Sequence, residues 1–209
     1  MMIMPSNNSG VIVGYLAGKY PGRLGWLLSA DGWRTPHSFL PYALDNGAFP
    51  AWRNKQPWNE AAFYRLLQLA RMSAIKPMWV AVPDVVADRD ATLASWAKHA
   101  PLIGMFGFPL AFVVQDGMTP GDVPEGAQIV FVGGSTEWKW RTLPIWTAHF
   151  PRVHVGRVNS QRMLWAAHEV GAESCDGTGW FRDPERPLGL IRYLDESTNG
   201  RKIHQPELF

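Results

Sequence analysis

The chain has 209 residues, 46% of them hydrophobic, with a formal net charge of +2 and a single cysteine, Cys175. That is enough apolar material for one substantial core, so a single domain over residues 1–209 is expected. A lone cysteine excludes an internal disulfide framework and any multi-cysteine zinc site, no apolar run approaches the roughly 20 residues that span a bilayer, and near-neutral charge does not by itself announce a nucleic-acid binder. The opening MMIMPSNNSG has no basic segment followed by a long apolar one, so it does not read as a secretory signal, and a cytoplasmic location is expected.

In chain order, Val11-Ile-Val-Gly-Tyr-Leu16 reads as a buried first strand, followed by a loop rich in Gly, Pro and Trp from Tyr20 to Pro41. Tyr42 to Phe49 reads as a short strand ending in a polar pair and a glycine. Asn59 can cap a helix whose Phe63, Leu66, Leu67 and Ala70 keep helical spacing. Met78 to Val82 is a continuous apolar run, hence a strand buried on both faces, ending at Pro83-Asp84. Asp88 or Asp90 opens the next helix, over about Ala91 to Ala100. Leu110 to Val114 and Ile129 to Val132 are further strands, and Trp138 to Phe150 is a helix that carries Pro144 inside it. Val153-His-Val155 is a strand, and Asn159 or Ser160 caps a helix that stops at Gly171. Glu173-Ser-Cys175 leads into Asp176, and Leu188 to Leu194 is a last helix before a polar tail.

Seven strands alternating with helices, most of them unbroken apolar runs, predict an α/β protein with a parallel sheet covered on both faces. The natural assembly is a compact (β/α)8-type TIM barrel, although 209 residues is short for that fold and the eighth strand is not evident. A doubly wound open sheet is the alternative, but no G-x-G-x-x-G turn follows the first strand.

Six successive strands finish on Asp45-Asn46-Gly47, Asp84, Gln115-Asp116-Gly117, Gly133-Gly134, Gly156-Arg157 and Asp176-Gly177. In a barrel these tips share one rim. Any one of them could be a helix cap or turn former; the set is harder to explain that way.

The ordered series resembles the tRNA-guanine transglycosylase superfamily, and within it the DNA-acting enzymes that insert 7-deazaguanines. Asp45-Asn-Gly-Ala-Phe49 is similar to the family's Asp-Ser-Gly-Gly-Phe/Tyr motif, Val114-Gln115-Asp-Gly117 to Val-Gln-Gly-Gly, and Gly133-Gly134 to its glycine pair. Val155-Gly156 matches part of a Gly-Val-Gly segment, and Glu173-Ser-Cys-Asp176 the stretch that ends in the nucleophile. The likeness covers about Leu44 to Gly179. It implies a zinc-free barrel that exchanges guanine through a covalent aspartyl-nucleoside intermediate, with no cofactor. Asp176 would be the nucleophile and Asp45 the acid/base group. Asp84 and Gln115 would read the purine edge with Asn46 beside them, Phe49 would stack on the ring, and the backbone of Gly133 and Gly134 would approach it. The expected partners are DNA with a single-stranded or flipped-out guanine and a free 7-deazaguanine base.

The departures shape that expectation. The family's three-cysteine, one-histidine zinc site cannot form around Cys175 alone, and Gly177-Thr-Gly-Trp180 replaces Pro-Thr-Arg after the nucleophile. Lys139 stands where the tRNA enzymes have a glutamate, which suits a neutral or acceptor-bearing substituent on the base. These losses favour DNA over tRNA. A nucleobase-binding relative without chemistry is the competing class, and it would not need both Asp45 and Asp176.

Other residues have plainer readings. Asp116 and Glu137 read as solvated or structural, and the arginines of the C-terminal half, Arg157, Arg182 and Arg186 among them, as scattered surface cations. The six histidines lack metal-ligand spacing, so His154 and His168 read as packing or surface residues. Strand alternation turns Cys175 away from Asp176, as a small buried residue.

Overall fold

The structure, a computed structural model, describes residues 1–7, 10–181 and 186–200. Arg182, the side chain of Arg186 and the polar tail beyond residue 200 lie outside the described residues.

Eight parallel strands form one sheet that curls into a (β/α)8-type barrel. They are β1 (Met2–Pro5), β2 (Trp26–Leu28), β3 (Tyr42–Leu44), β4 (Val80–Ala81), β5 (Leu110–Val114), β6 (Ile129–Val132), β7 (Val153–Val155) and β8 (Ser174–Gly177). Neighbours in sequence are neighbours in space from β2 round to β8, and β8 pairs with β1. The ring closes between β1 and β2 through parallel bridges at Ile3–Leu24 and Ser6–Leu27, with Asn7 N donating to Leu27 O at 2.9 Å.

The helices are α1 (Val11–Lys19), α2 (Ala48–Arg53), α3 (Glu60–Met72), α4 (Arg89–Gly104), α5 (Thr136–His149), α6 (Gln161–Glu169) and α7 (Arg186–Thr198). After β2 and after β5 the chain makes only 3-10 turns, Ala30–Gly32 and Pro120–Asp122. Dropping two outer helices is how so short a chain closes a full barrel.

Two apolar layers hold the ring. The strands' outward residues and the helices form the larger, and Met4, Leu27, Ala43, Trp79, Ala81, Ala111, Val113, Ile129 and Phe131 fill the barrel interior. Three alanines leave room there for the rings of Trp79 and Phe131, which meet edge to face at 5.9 Å.

The N-terminal third departs from the sequence reading. Val11 to Leu16 is helix, not the first strand. Its buried residues Val13, Leu16 and Ala17, with Tyr20 just beyond, fall at i, i+3, i+4 and i+7, a helical stripe that the β-branched Val-Ile-Val run disguises. The first strand comes instead from Met2–Pro5, and the second from inside the expected 20–41 loop. The strand begun at Tyr42 stops at Leu44; Gly47, at φ +78, turns the chain into α2, so Phe49 is helical.

Elsewhere the expected elements stand, with adjusted ends. Asn59, Asp88 and Ser160 cap α3, α4 and α6 by accepting from the N–H of Ala62, Ala91 and Met163. Gly171, at φ +84, follows α6, and α5 carries Pro144 within it.

Candidate active site

The C-terminal ends of the strands surround a cavity of about 280 Å³, near the lower end of the range in which small-molecule ligands bind, roughly 300 Å³ upward. Asp45, Asn46, Phe49, Asp84, Gln115, Gly133, Gly134 and Asp176 all line it. The barrel thus brings together residues spread over more than half the chain.

Asp176 stands at the tip of β8, almost wholly buried. Its Oδ1 accepts from Arg157 N and from His154 Nε2, each at 3.2 Å, and its Oδ2 accepts from Ser6 Oγ at 3.1 Å. His154, on β7, is fully buried, and its Nδ1 lies 2.8 Å from Ser174 Oγ. Because a carboxylate only accepts, the network assigns the imidazole proton to Nε2 and leaves Nδ1 to accept from the Ser174 hydroxyl. The ring is clamped edge to face by Phe131 at 4.5 Å and Trp79 at 4.8 Å. Three donors, one from the tip of β1 and two from β7 and its tip, therefore fix the orientation of one carboxyl group.

His154 thus packs, as read, without lining the cavity, and the hydrogen bond to Asp176 is what the sequence reading did not include. The register pairs His154 with Ser174, so alternation turns His154, Ser174 and Asp176 inward together. Val153, Val155 and Cys175 face the outer layer. There burial, and next the charge of Asp176, push the Cys175 thiol well above its ordinary range. His168 packs as well, stacked on Trp165 with its Nδ1 at 2.9 Å from Tyr193 Oη.

Asp45 follows β3 and sits in the cavity wall. Burial, then the charges of Asp176 and Asp84, push its carboxyl up to about 7, against donation from the backbone of Asn46 and Gly47. Asp84 is held by two amides: Asn46 Nδ2 donates to Oδ1 at 2.8 Å and Gln115 Nε2 to Oδ2 at 2.7 Å. Burial raises it to about 6, with the Asn46 amide and the Arg157 charge opposing.

Asn46 and Gln115 are largely spent on this scaffold. Asn46 also donates to Val82 O at 3.0 Å and accepts from Ala48 N at 2.7 Å. Gln115 Oε1 accepts from Ala87 N at 2.9 Å and Gly134 N at 3.2 Å. They hold Asp84 in place and present it to the cavity.

The glycines are there for space. A Cβ on Gly133 would lie 3.1 Å from Gln115 Nε2, and one on Gly134, at φ +65, would lie 2.6 Å from Asp116 Oδ2. Asp116 itself caps the turn by accepting from Ser135 N at 2.7 Å, in keeping with a structural role.

Two positions differ from expectation. Lys139 does not line the cavity: it is buried behind the rim with Nζ donating to Gly156 O. Burial, then the Arg157 charge, push its ammonium down to about 8. Arg157, read as a surface cation, does line the cavity. Its guanidinium lies 4.7 Å over the Phe49 ring and donates to Gly134 O, and its backbone takes φ +60 to aim its N–H at Asp176.

Among the described residues, no group of three or more His, Cys, Asp or Glu side chains is arranged to hold a metal ion. What the cavity offers is an oriented carboxylate, a second carboxyl able to carry a proton near neutral pH, a third aimed as an acceptor, and an aromatic face.

No protein-family model matches the chain, and no curated protein matches it. Among solved structures it is similar to a chain in the crystal structure of the Amycolatopsis orientalis BexX/CysO complex. The TM-score is 0.58 at 14% identity, covering 98% of this chain and 94% of that one. At that identity the likeness shows the fold alone.

Proposed function

We propose that this barrel is a base-exchange transglycosylase that replaces guanine in DNA with a 7-deazaguanine derivative. The observation that carries the reading is the pairing of Asp176, held by three donors, with Asp45, whose carboxyl titrates near 7 in the same cavity. Exchange at an N-glycosidic carbon needs a nucleophile and a proton carrier, and two carboxyl groups supply both, as in retaining glycosidases.

In the first half-reaction an Asp176 oxygen attacks C1′ and the bond from C1′ to guanine N9 breaks. The electron pair leaves with the base, which takes a proton from Asp45. In the second half the incoming deazaguanine loses its N9 proton to the Asp45 carboxylate and attacks C1′. The ester bond to Asp176 breaks and the carboxylate is restored. Atoms and charges balance without a cofactor.

Asp84 accepts from the N1–H and exocyclic N–H of the purine edge, since its lone pairs beyond the two amide bonds remain for the ligand. Phe49 offers a stacking face, which Arg157 covers until the base arrives. DNA is favoured over tRNA by the missing zinc ligands and the Gly177-Thr-Gly-Trp180 turn. A binding protein without chemistry would have no use for the Asp45–Asp176 pair.

The test is to mix the protein with guanine-containing single-stranded DNA, quench under denaturing conditions and look for a covalent protein–DNA adduct. An adduct formed by the wild type and absent in Asp176→Asn supports the reading. No wild-type adduct, or one that survives the substitution, overturns the proposed intermediate.

A further inference from the structure

A second, shallower depression of about 440 Å³ lies on the flank of the barrel, between α1 and the 34–40 segment. It exists because β2 is followed only by a 3-10 turn, so the returning loop, in place of an α-helix, covers the outer face of that strand. Planar side chains form a row there. The Arg34 guanidinium lies 5.9 Å over Trp26, Trp26 lies 5.6 Å from His37, and His37 stacks on Phe39 at 5.3 Å with planes 9° apart. Phe39 ends the row and is 60% exposed.

The row starts at the active site. Arg34 Nη2 donates to Asn7 O at 3.0 Å, and Asn7 lines the catalytic cavity. Among the described residues no carboxylate lines the depression, and Gly14 of α1 leaves its opposite wall open, since a Cβ there would meet nothing within 4 Å. A stack of flat rings, one cation and no acid matches the chemistry of a single nucleic-acid strand, whose bases stack and whose phosphates repel carboxylates.

We infer that this depression binds the strand flanking the target base, with one flanking base stacked on Phe39 and a phosphate nearer the active site turned to Arg34. Its place in catalysis rests on the proposed nucleic-acid substrate; its existence as a strand-binding site does not.

The experiment uses fluorescein-labelled oligothymidylate, which contains no guanine, and reads binding to the full chain by fluorescence anisotropy. The His37→Ala/Phe39→Ala double variant, with both changes at exposed positions and its melting temperature checked against the wild type, is expected to bind about tenfold or more weakly. An oligonucleotide carrying 5-iododeoxyuridine is expected to crosslink to His37 or Phe39. Equal binding by the variant, no binding by the wild type, or crosslinks only elsewhere would overturn the inference. So would a wild-type dimer that Phe39→Ala dissociates, which would make a second copy the occupant. Guanine exchange is scored separately: exchange without Phe39-dependent binding sinks the groove alone, and Phe39-dependent binding without exchange sinks the transglycosylase reading alone.

Discussion

His154 Nε2 lies 3.2 Å from Asp176 Oδ1, and the same imidazole is tied through Nδ1 to Ser174 two residues before that aspartate. The strand that carries Asp176 is thus locked to its neighbour by one fully buried ring. His154 touches no substrate atom in this account; it positions Asp176. Replacing it by Phe leaves one hydrogen bond to the carboxylate unmade and the Ser174 hydroxyl without its partner. Hydrogen bonds to charged groups are worth about 1.5–3 kcal/mol, so kcat is expected to fall about 10- to 100-fold. KM for DNA should move little, and His154→Gln, which keeps a donor, should recover part of the loss. Steady-state kinetics on both variants checks this. A rise in KM with kcat unchanged would point to a binding role instead.

The raised pKa of Asp45 predicts how stability depends on pH. Its folded value of about 7 lies above the ordinary 3.8, so between those values the folded state holds a proton that the unfolded chain has lost. Stability therefore falls as pH rises through this window and stays lowered above it. Asp45→Asn removes the burden, so its melting temperature relative to the wild type should rise from pH 5 to pH 8. A constant difference across that range would contradict the assignment.

Part of that shift comes from the charge on Asp176. In Asp176→Asn the Asp45 titration should therefore move down from about 7, as read by carboxyl carbon-13 NMR. The raised carboxyl groups of Asp45 and Asp84 share one cavity, so a limb in the pH–rate profile belongs to the pair. Its loss in Asp45→Asn, with the limb retained in Asp84→Asn, identifies Asp45 as the proton carrier.

Gly177 tests how tightly the turn after Asp176 is built. A Cβ there would fall on the Val158 carbonyl and within 2.8 Å of Asn159 Oδ1, and Val158 N itself donates to Asp176 O at 2.6 Å. Backbone cannot give way as a flexible side chain can. Gly177→Ala is expected to cost about 1–3 kcal/mol in urea denaturation, a typical overpacking penalty. Gly18→Ala, where a Cβ meets nothing within 4 Å and φ is not positive, is the control and is expected to cost nothing. Equal losses at the two glycines would mean that the close approach at Gly177 is unimportant.

The residues that were legible in the sequence share a physical reason. The unbroken apolar runs at Leu110–Val114 and Ile129–Val132 are buried on both faces, as parallel strands of a covered sheet must be. The polar residues following them had to come to one rim once a barrel was assumed, and Asp45, Asp84, Gln115 and Asp176 do so. The hidden elements are short or camouflaged. β1 and β2 have four and three residues, too few to show a period, and with β1 unread Ser6 could not be found. The bond from His154 to Asp176 was within reach, because the alternation that turns Cys175 outward also turns the middle residue of Val-His-Val inward. Arg157 was not: its place depends on a left-handed backbone that no local signal marks. Lys139 was misplaced because a motif position fixes the order along the chain but not which side of a helix meets the cavity.

The central claim, exchange of a base in DNA through Asp176, is tested most directly by incubating the protein with radiolabelled guanine and, in parallel, guanine-containing DNA or tRNA. Label is expected to enter DNA, not tRNA, and to stop entering it in Asp176→Asn. Label entering tRNA alone, label entering neither, or an Asp176→Asn variant that exchanges at the wild-type rate would contradict the account.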